Sequence, residues 1–370
     1  MTVIIFIIVL AVLIFVHELG HFVVARANGI RVDEFKIGFG PRLISWGSGE
    51  TKYGLNLIPF GGYVKIHGEN PDDDSINGPD RARSFVHKNR FKQAAVLFAG
   101  VFFNFLFAWL LYVAVFVSGV TATTEGFERY ADDFKNPRIM VTYVAPGSPA
   151  EKAGLGLGDV IQGVSPGRVE GNALKPKQSI SDIQNSINES KGGQVMLGYI
   201  HRGELKTAPV TPTTGLIEGK YAVGIAMQDV ADLRLPFFTS IYEGARYTGF
   251  ITRDTAVGLY TFIANIFRGT ANFADVAGPV GIAGIVGNAA ELGFTYLLMI
   301  TALISVNLGV INLIPFPALD GGRILLVAIE GLFRRKIPAK FANAVNTAGF
   351  ALLMLLMVVV TYKDIARLMK

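Results

Sequence analysis

Two histidines four residues apart, with a glutamate beside the first, form the sharpest chemical signal in this chain: His17-Glu18-Leu19-Gly20-His21. Residues i and i+4 share one face of an α-helix, so both imidazoles can ligate one zinc ion. The glutamate can then act as general base toward a water that the metal activates. The surroundings are unusual for such a motif. A soluble metal enzyme carries it among polar neighbours, whereas here it lies in an apolar run from Thr2 past Phe22. This places the motif within a membrane, where three ionisable groups on neighbouring faces are costly without a function. The plainer alternative is that the three groups only satisfy one another or pair with basic residues.

The elements that must hold these residues follow from hydropathy. Of the 370 residues, 51% are hydrophobic and only 17% charged, against roughly 25% charged in soluble domains. The apolar excess gathers into a few long runs, which describes a polytopic membrane protein. A spanning helix needs about 20 apolar residues, and the runs at 2–24, 94–118, 295–316 and 341–361 qualify. The first has no basic segment before it and carries the histidines, so it is read as a retained helix, not a cleaved signal. A weaker, glycine-rich stretch at 276–290 is expected to be re-entrant or packed on protein. The absence of cysteine excludes disulfides and cysteine-based metal sites. The net charge of +5 reflects basic cytoplasmic loops, with no sign of nucleic-acid binding.

Lysines and arginines crowd the loop from Arg26 to Lys92 and the short loop from Arg323 to Lys340. Both are therefore expected on the cytoplasmic side, with the N-terminus and the 119–294 segment outside. Lys363, Arg367 and Lys370 fit this orientation poorly. His17 lies about 22 Å along its helix, toward the cytoplasmic end. Alternating apolar residues and Gly/Pro punctuation within 25–93 suggest several short strands, and 69–84 reads as a surface loop. Residues 138–226 read as a small water-soluble domain. It has a strand at 140–144, a capped turn at 148–155 and a helix at 180–187. His67, His87 and His201 fall in polar stretches and read as ordinary surface residues.

The order of motifs resembles the site-2 protease family of intramembrane zinc metalloproteases. His17–His21 is followed, after a soluble insert, by Asn312-Leu313-Ile314-Pro315-Phe316-Pro317-Ala318-Leu319-Asp320-Gly321-Gly322. The branch most similar is that of the bacterial regulator of sigma-E protease. The resemblance implies His17, His21 and Asp320 as ligands of one zinc ion and Glu18 as base. It also implies a bacterial cytoplasmic (inner) membrane location and single-span membrane proteins as substrates, such as anti-sigma factors or signal-peptide remnants. Gly38-Phe39-Gly40 and Gly61-Gly62-Tyr63-Val64-Lys65 are similar to the family's membrane-associated β-loop. Ala99-Gly100-Val101-Phe102-Phe103-Asn104 is similar to its second-helix element, and 138–226 to its PDZ insert. One departure is a single PDZ-like unit where the sigma-E regulator type has two.

The expected fold is thus a polytopic α-helical membrane protein of about four transmembrane helices. It carries a membrane-associated β-loop and an inserted α+β PDZ-like domain. The expected segments are 1–118 (helices 1 and 2 with the β-loop), 138–226 (PDZ-like), 227–294 (linker with interfacial or re-entrant segments) and 295–370 (helices 3 and 4). Asn312 is a candidate donor to the scissile carbonyl, and Asn104 bonds across helices or meets substrate. Pro315 and Pro317 should interrupt the third helix where Asp320 nears the metal. Gly62 and Tyr63 lie in the 53–66 segment, whose strand edge is a candidate clamp for an unwound substrate. The PDZ-like groove would take an extended peptide or filter substrates by size. Two other readings compete: a proteolytically silent PDZ scaffold, and a metal transporter. The first leaves Glu18 without a purpose. The second predicts more ionisable residues on the other spans.

Overall fold

A computed structural model of the chain describes every residue except 48, 71–72, 125–126, 167–177, 218, 271–276, 336 and 369–370. Lys336 and Lys370, counted among the basic flanks, and part of the 69–84 loop and of the 138–226 segment therefore lie outside the described residues. The chain forms two compact units, Met1–Val115 with Pro236–Lys370, and Phe116–Leu235.

The first unit opens with helix α1 (Thr2–Ala27). Its Ile- and Val-rich sequence is a mediocre helix former in water. In an apolar medium every backbone group must bond internally, so the helix becomes the only low-energy option for a spanning segment. At 1.5 Å per residue its 26 residues reach about 39 Å, more than a bilayer core of about 30 Å. Strands β1 (Val32–Trp46) and β2 (Lys52–Ile66) follow. Their pairing is irregular, and residues 34–37 pair on both sides, with 52–55 and with 62–65. The two long strands thus act as four short paired segments, with 62–66 and 42–46 outermost. A short helix α2 (Asp73–Asn77) lies within the segment expected to be a loop. Helix α3 (Arg90–Ser118) is the second long apolar helix. Ala25, Ile30, Phe35, Val64, Val96 and Leu97 form one core that fixes the paired strands between the ends of α1 and α3.

The second unit is built on strands β3 (Val120–Thr123) and β4 (Phe134–Val144), helix α4 (Pro149–Lys152), strand β5 (Val160–Pro166) and helix α5 (Ile180–Glu189). Strands β6 (Val195–His201), β7 (Glu204–Val210), β8 (Thr213–Ile217), β9 (Lys220–Ala222) and β10 (Ile225–Leu233) complete it. Six strands form one sheet in the order β3-β10-β4-β5-β6-β7. Val141, Val164, Ile183, Val195 and Leu197 make its core against α5. The unit takes in β3 and both ends of the sheet, so it is wider than 138–226. Ser179 starts α5 with a capping box, its Oγ accepting from the Asp182 amide while the Asp182 carboxylate accepts from the Ser179 amide. Ser179→Ala should lower the stability of this unit by about 1 kcal/mol, read as faster amide exchange across α5 than in wild type.

Back in the first unit, helix α6 (Phe237–Phe267) fills much of what reads in the sequence as linker. Glu243, Arg246, Arg253 and Asp254 interrupt its hydropathy and mask a 31-residue helix. Side-chain bonds tie it to its neighbours: Trp109 Nε1 donates to the Ile241 carbonyl (2.9 Å), and Thr255 Oγ1 donates to Asn307 Oδ1 (2.8 Å). Helix α7 (Pro279–Leu292) occupies the glycine-rich stretch. Its 14 residues cover about 21 Å, too little to cross a bilayer alone, and it packs against α1, α8 (Phe294–Asn312) and α10 (Ala339–Leu368). Helix α9 (Asp320–Phe333) lies between the last two. Among the described residues four helices are long and apolar enough to cross a membrane: α1, α3, α8 and α10. These match the four expected runs. Phe350, Leu355 and Val358 of α10 stay exposed, as suits a lipid-facing surface.

Candidate metal centre and its chamber

His17 and His21 lie one turn apart on α1 and present their Nε2 atoms to the same point, 3.2 Å from each other. The third group arrives from the far end of the sequence. Helix α8 stops at Asn312, the chain turns through Pro315 and Pro317, and α9 begins at Asp320. The prolines interrupt the helix as their fixed geometry requires. Gly321 and Gly322 let the new helix sit against that turn. A Cβ at Gly321 would meet the carbonyl oxygens of Leu313 and Ile314 at 2.3 Å, and one at Gly322 would meet that of Phe316 at 2.2 Å. Asp320 is the first residue of α9, where the helix dipole favours a carboxylate.

The Asp320 Oδ2 atom stands 3.1 Å from His17 Nε2 and 3.4 Å from His21 Nε2. It is buried with no hydrogen-bond partner. The three donor atoms thus form a triangle with sides of 3.1 to 3.4 Å. At bond lengths of about 2.0–2.1 Å the edge of a tetrahedron around zinc is about 3.3–3.4 Å. The donor set, its spacing and its orphaned buried oxygen fit a metal ion of that size. These three residues form a group able to hold one.

The surroundings fix the donors. His21 Nδ1 lies 2.8 Å from the Val96 carbonyl. A carbonyl only accepts, so Nδ1 carries the proton and Nε2 presents its lone pair to the metal point. Gly100, one turn further along α3, leaves the space the imidazoles occupy. A Cβ there would fall 2.4 Å from His21 Nε2 and 2.8 Å from His17 Nε2. Asn104, one turn beyond, places its carboxamide nitrogen 3.0 Å from His17 Nδ1. Asn104 is fully buried, with its carboxamide against His17.

A chamber of about 530 Å³ opens from this point, lined by His17, Glu18, His21 and Asp320 at one end and by Arg31, His67, Glu69 and Arg323 further out. Glu18 makes no hydrogen bond to a described residue, so its carboxylate is free to meet water in the chamber. Residues 63–66 of the outermost strand segment line the same space. Gly62 allows the approach: a Cβ there would meet Ile14 Cγ2 at 3.0 Å and Glu18 Cγ at 3.5 Å. The Tyr63 hydroxyl donates to Glu34 Oε2 (2.9 Å). Lys36 bonds the same carboxylate and holds its pKa below the usual glutamate range. Arg323 pairs with Glu69, which ties α9 to the end of the paired strands.

Two expectations need adjusting. Asn312 ends α8 half-buried, outside the set of residues that line the chamber. His67 is no surface residue: it is buried, lines the chamber and lies 3.0 Å from Arg31. Its sequence neighbour Glu69 pairs with Arg323, and the Arg31 beside its ring pairs with Asp33 and Asp80. His87 is exposed as expected, and His201 pairs with Asp159 at 2.7 Å. Sequence reasoning also passed over Arg31, Glu69 and Arg323, which carry no spacing signal.

Membrane-type helices that bring a metal-binding donor set to a polar chamber define a class, that of membrane-embedded metalloenzymes. The comparisons narrow it. The model of peptidase family M50 matches residues 5–356. A Clostridium perfringens protein provisionally named a zinc metalloprotease is 38% identical over 354 residues, covering 95% of each chain. A second, from Clostridium acetobutylicum, is 33% identical and covers 98% of this chain and 97% of its own. The zinc metalloprotease RasP of Shouchella clausii is 28% identical over 443 residues, covering 99% of each. The chain belongs to peptidase family M50, the site-2 proteases, and is by that membership a zinc metalloprotease.

Proposed function

We propose that this protein is an intramembrane endopeptidase that cuts single-span membrane proteins in or near their transmembrane segments. The observation that carries the reading is the donor triangle of His17, His21 and Asp320, with Glu18 beside it, on apolar helices. His17, His21 and Asp320 would hold zinc, which when bound polarises the scissile carbonyl and acidifies water. Glu18 takes the proton from the attacking water and returns it to the departing amine. A helical substrate must first unwind, because its peptide bonds are shielded. The outermost strand segment, 62–66, runs along the chamber and would hold the unwound stretch by main-chain hydrogen bonds. Tyr63, anchored on Glu34, lines the approach.

The orientation follows the basic loops. The paired strands and the chamber mouth lie toward the cytoplasm of a bacterial inner membrane, and the second unit lies outside. That unit is read as a PDZ-like peptide-binding domain. Its support is a groove of about 340 Å³ between α5 and the start of β10. Among the described residues, Ile225–Gln228 pair with β4 on one side only, so the other edge can accept an extended peptide.

The test is cleavage of a single-span protein co-reconstituted with the purified protease in lipid vesicles. A cut within the membrane segment is expected, located by mass spectrometry. It should disappear when a chelator strips the zinc and return with equimolar zinc. Cuts confined to the flanking soluble parts, or cleavage indifferent to chelation, would sink the reading.

A further inference from the structure

We infer that Asn104 is a positioning residue for the metal centre, its carboxamide oxygen accepting the Nδ1–H of His17 and so holding Nε2 bare toward the ion. The inference rests on the reading of His17 as a zinc ligand. It gives the fully buried Asn104 a task other than contact with substrate.

A metal-binding imidazole must keep one nitrogen unprotonated, and whatever bonds the other nitrogen sets which one that is. For His21 the Val96 carbonyl settles the matter. For His17 the hydrogen-bonding group at Nδ1, among the described residues, is the Asn104 carboxamide, with its nitrogen 3.0 Å away. In that orientation Nδ2–H would donate to a bare Nδ1, leaving the proton on Nε2, pointed at Asp320 and at the metal point. The same orientation leaves Asn104 Oδ1 buried without a partner. Oxygen and nitrogen of a carboxamide have the same shape, so a half-turn exchanges them without moving another atom. After the half-turn Oδ1 accepts from Nδ1–H, and Nε2 presents its lone pair beside that of His21. The exchange gives Oδ1 a donor, moves Nδ2 to the place Oδ1 held, and produces the ligating tautomer.

The placement of Asn104 is over-determined. Val96, Gly100 and Asn104 recur every fourth residue on α3, and His17 and His21 do so on α1. The carbonyl of Val96 meets His21, Gly100 leaves room for both rings, and Asn104 meets His17. From the other side Ser305 Oγ of α8 donates to the Asn104 carbonyl at 2.8 Å. That bond pins the backbone from which the carboxamide extends. One stripe of α3 thus supplies the outer support of both imidazoles.

The test compares zinc affinity, by competition with a chromophoric chelator, in detergent-purified wild type and variants. Asn104→Leu keeps the bulk and removes the acceptor, and should weaken zinc binding about 10- to 100-fold. Asn104→Asp keeps an acceptor and should bind within a few-fold of wild type. In a His17→Ala background Asn104→Leu should cost nothing further, because the partner it acts through is gone. If Asn104→Leu does not fold, Asn104→Ser, too short to reach Nδ1, takes its place. Wild-type affinity in Asn104→Leu would overturn the inference. So would an Asp variant as weak as the Leu variant, or an undiminished loss in the His17→Ala background. A His17→Ala protein that binds zinc like wild type is a separate result: it defeats the metal reading itself.

Discussion

Glu18→Gln should leave zinc bound and reduce cleavage by about 10²- to 10⁴-fold, the usual contribution of a positioned general base. Glutamine has nearly the same shape as glutamate and carries no charge, but it cannot take up a proton. Glu18 bonds no described residue and is not one of the three donors, so the exchange removes no ligand and no structural contact. Glu69, another acid of the chamber, is held by Arg323 and cannot take over without breaking that pair. Two measurements on one preparation decide the matter: zinc per chain by metal analysis, and the cleavage rate in the same vesicles as wild type. Full zinc with cleavage within tenfold of wild type would place the base elsewhere. Loss of zinc would make Glu18 a ligand.

The sequence shows the donors more clearly than their support. His17, Glu18 and His21 are legible because helical periodicity alone puts the histidines on one face. The long helices are legible because a bilayer leaves a chain few options, and the runs at 2–24 and 94–118 lie within α1 and α3. Asp320 lies some three hundred residues from His17, and spacing cannot join them. Its assignment rests on the family resemblance. What stays hidden is tertiary. Helix α6 is obscured because its charges lower local hydropathy while its length and its bonds to Trp109 and Asn307 depend on packing. His67 looks solvated because its neighbours in sequence are polar, yet Glu69 pairs with Arg323 and Arg31 meets the buried His67 ring. Gly100 enters the sequence reading only within the stretch Ala99–Asn104 that resembles the family's second-helix element, and the position of the imidazoles reveals what its missing side chain makes room for.

Gly100→Ala should therefore abolish zinc binding and cleavage while leaving the protein folded. The added methyl would fall 2.4 Å from His21 Nε2, 2.7 Å from His17 Cε1 and 2.8 Å from His17 Nε2. Each is closer than carbon approaches such atoms, so the rings must turn away. His21 cannot do so and keep its bond to the Val96 carbonyl, and any rotation breaks a donor triangle whose sides are already 3.1 to 3.4 Å. The helix itself gains, since alanine is favoured over glycine in a helix interior by about 1 kcal/mol. Activity and fold stability should thus move in opposite directions, a combination that general misfolding does not produce. Gly20→Ala supplies the contrast. Its methyl would meet the Ala99 carbonyl oxygen at 2.4 Å and carbon at 2.8 Å, which are backbone atoms unable to rotate aside. Overpacking there costs about 1–3 kcal/mol and pushes α1 from α3, so stability and zinc binding should fall together. Thermal unfolding in detergent, paired with zinc content, separates the two variants. A Gly100→Ala protein that binds zinc and cleaves like wild type would mean the imidazoles do not rest against α3 at this position.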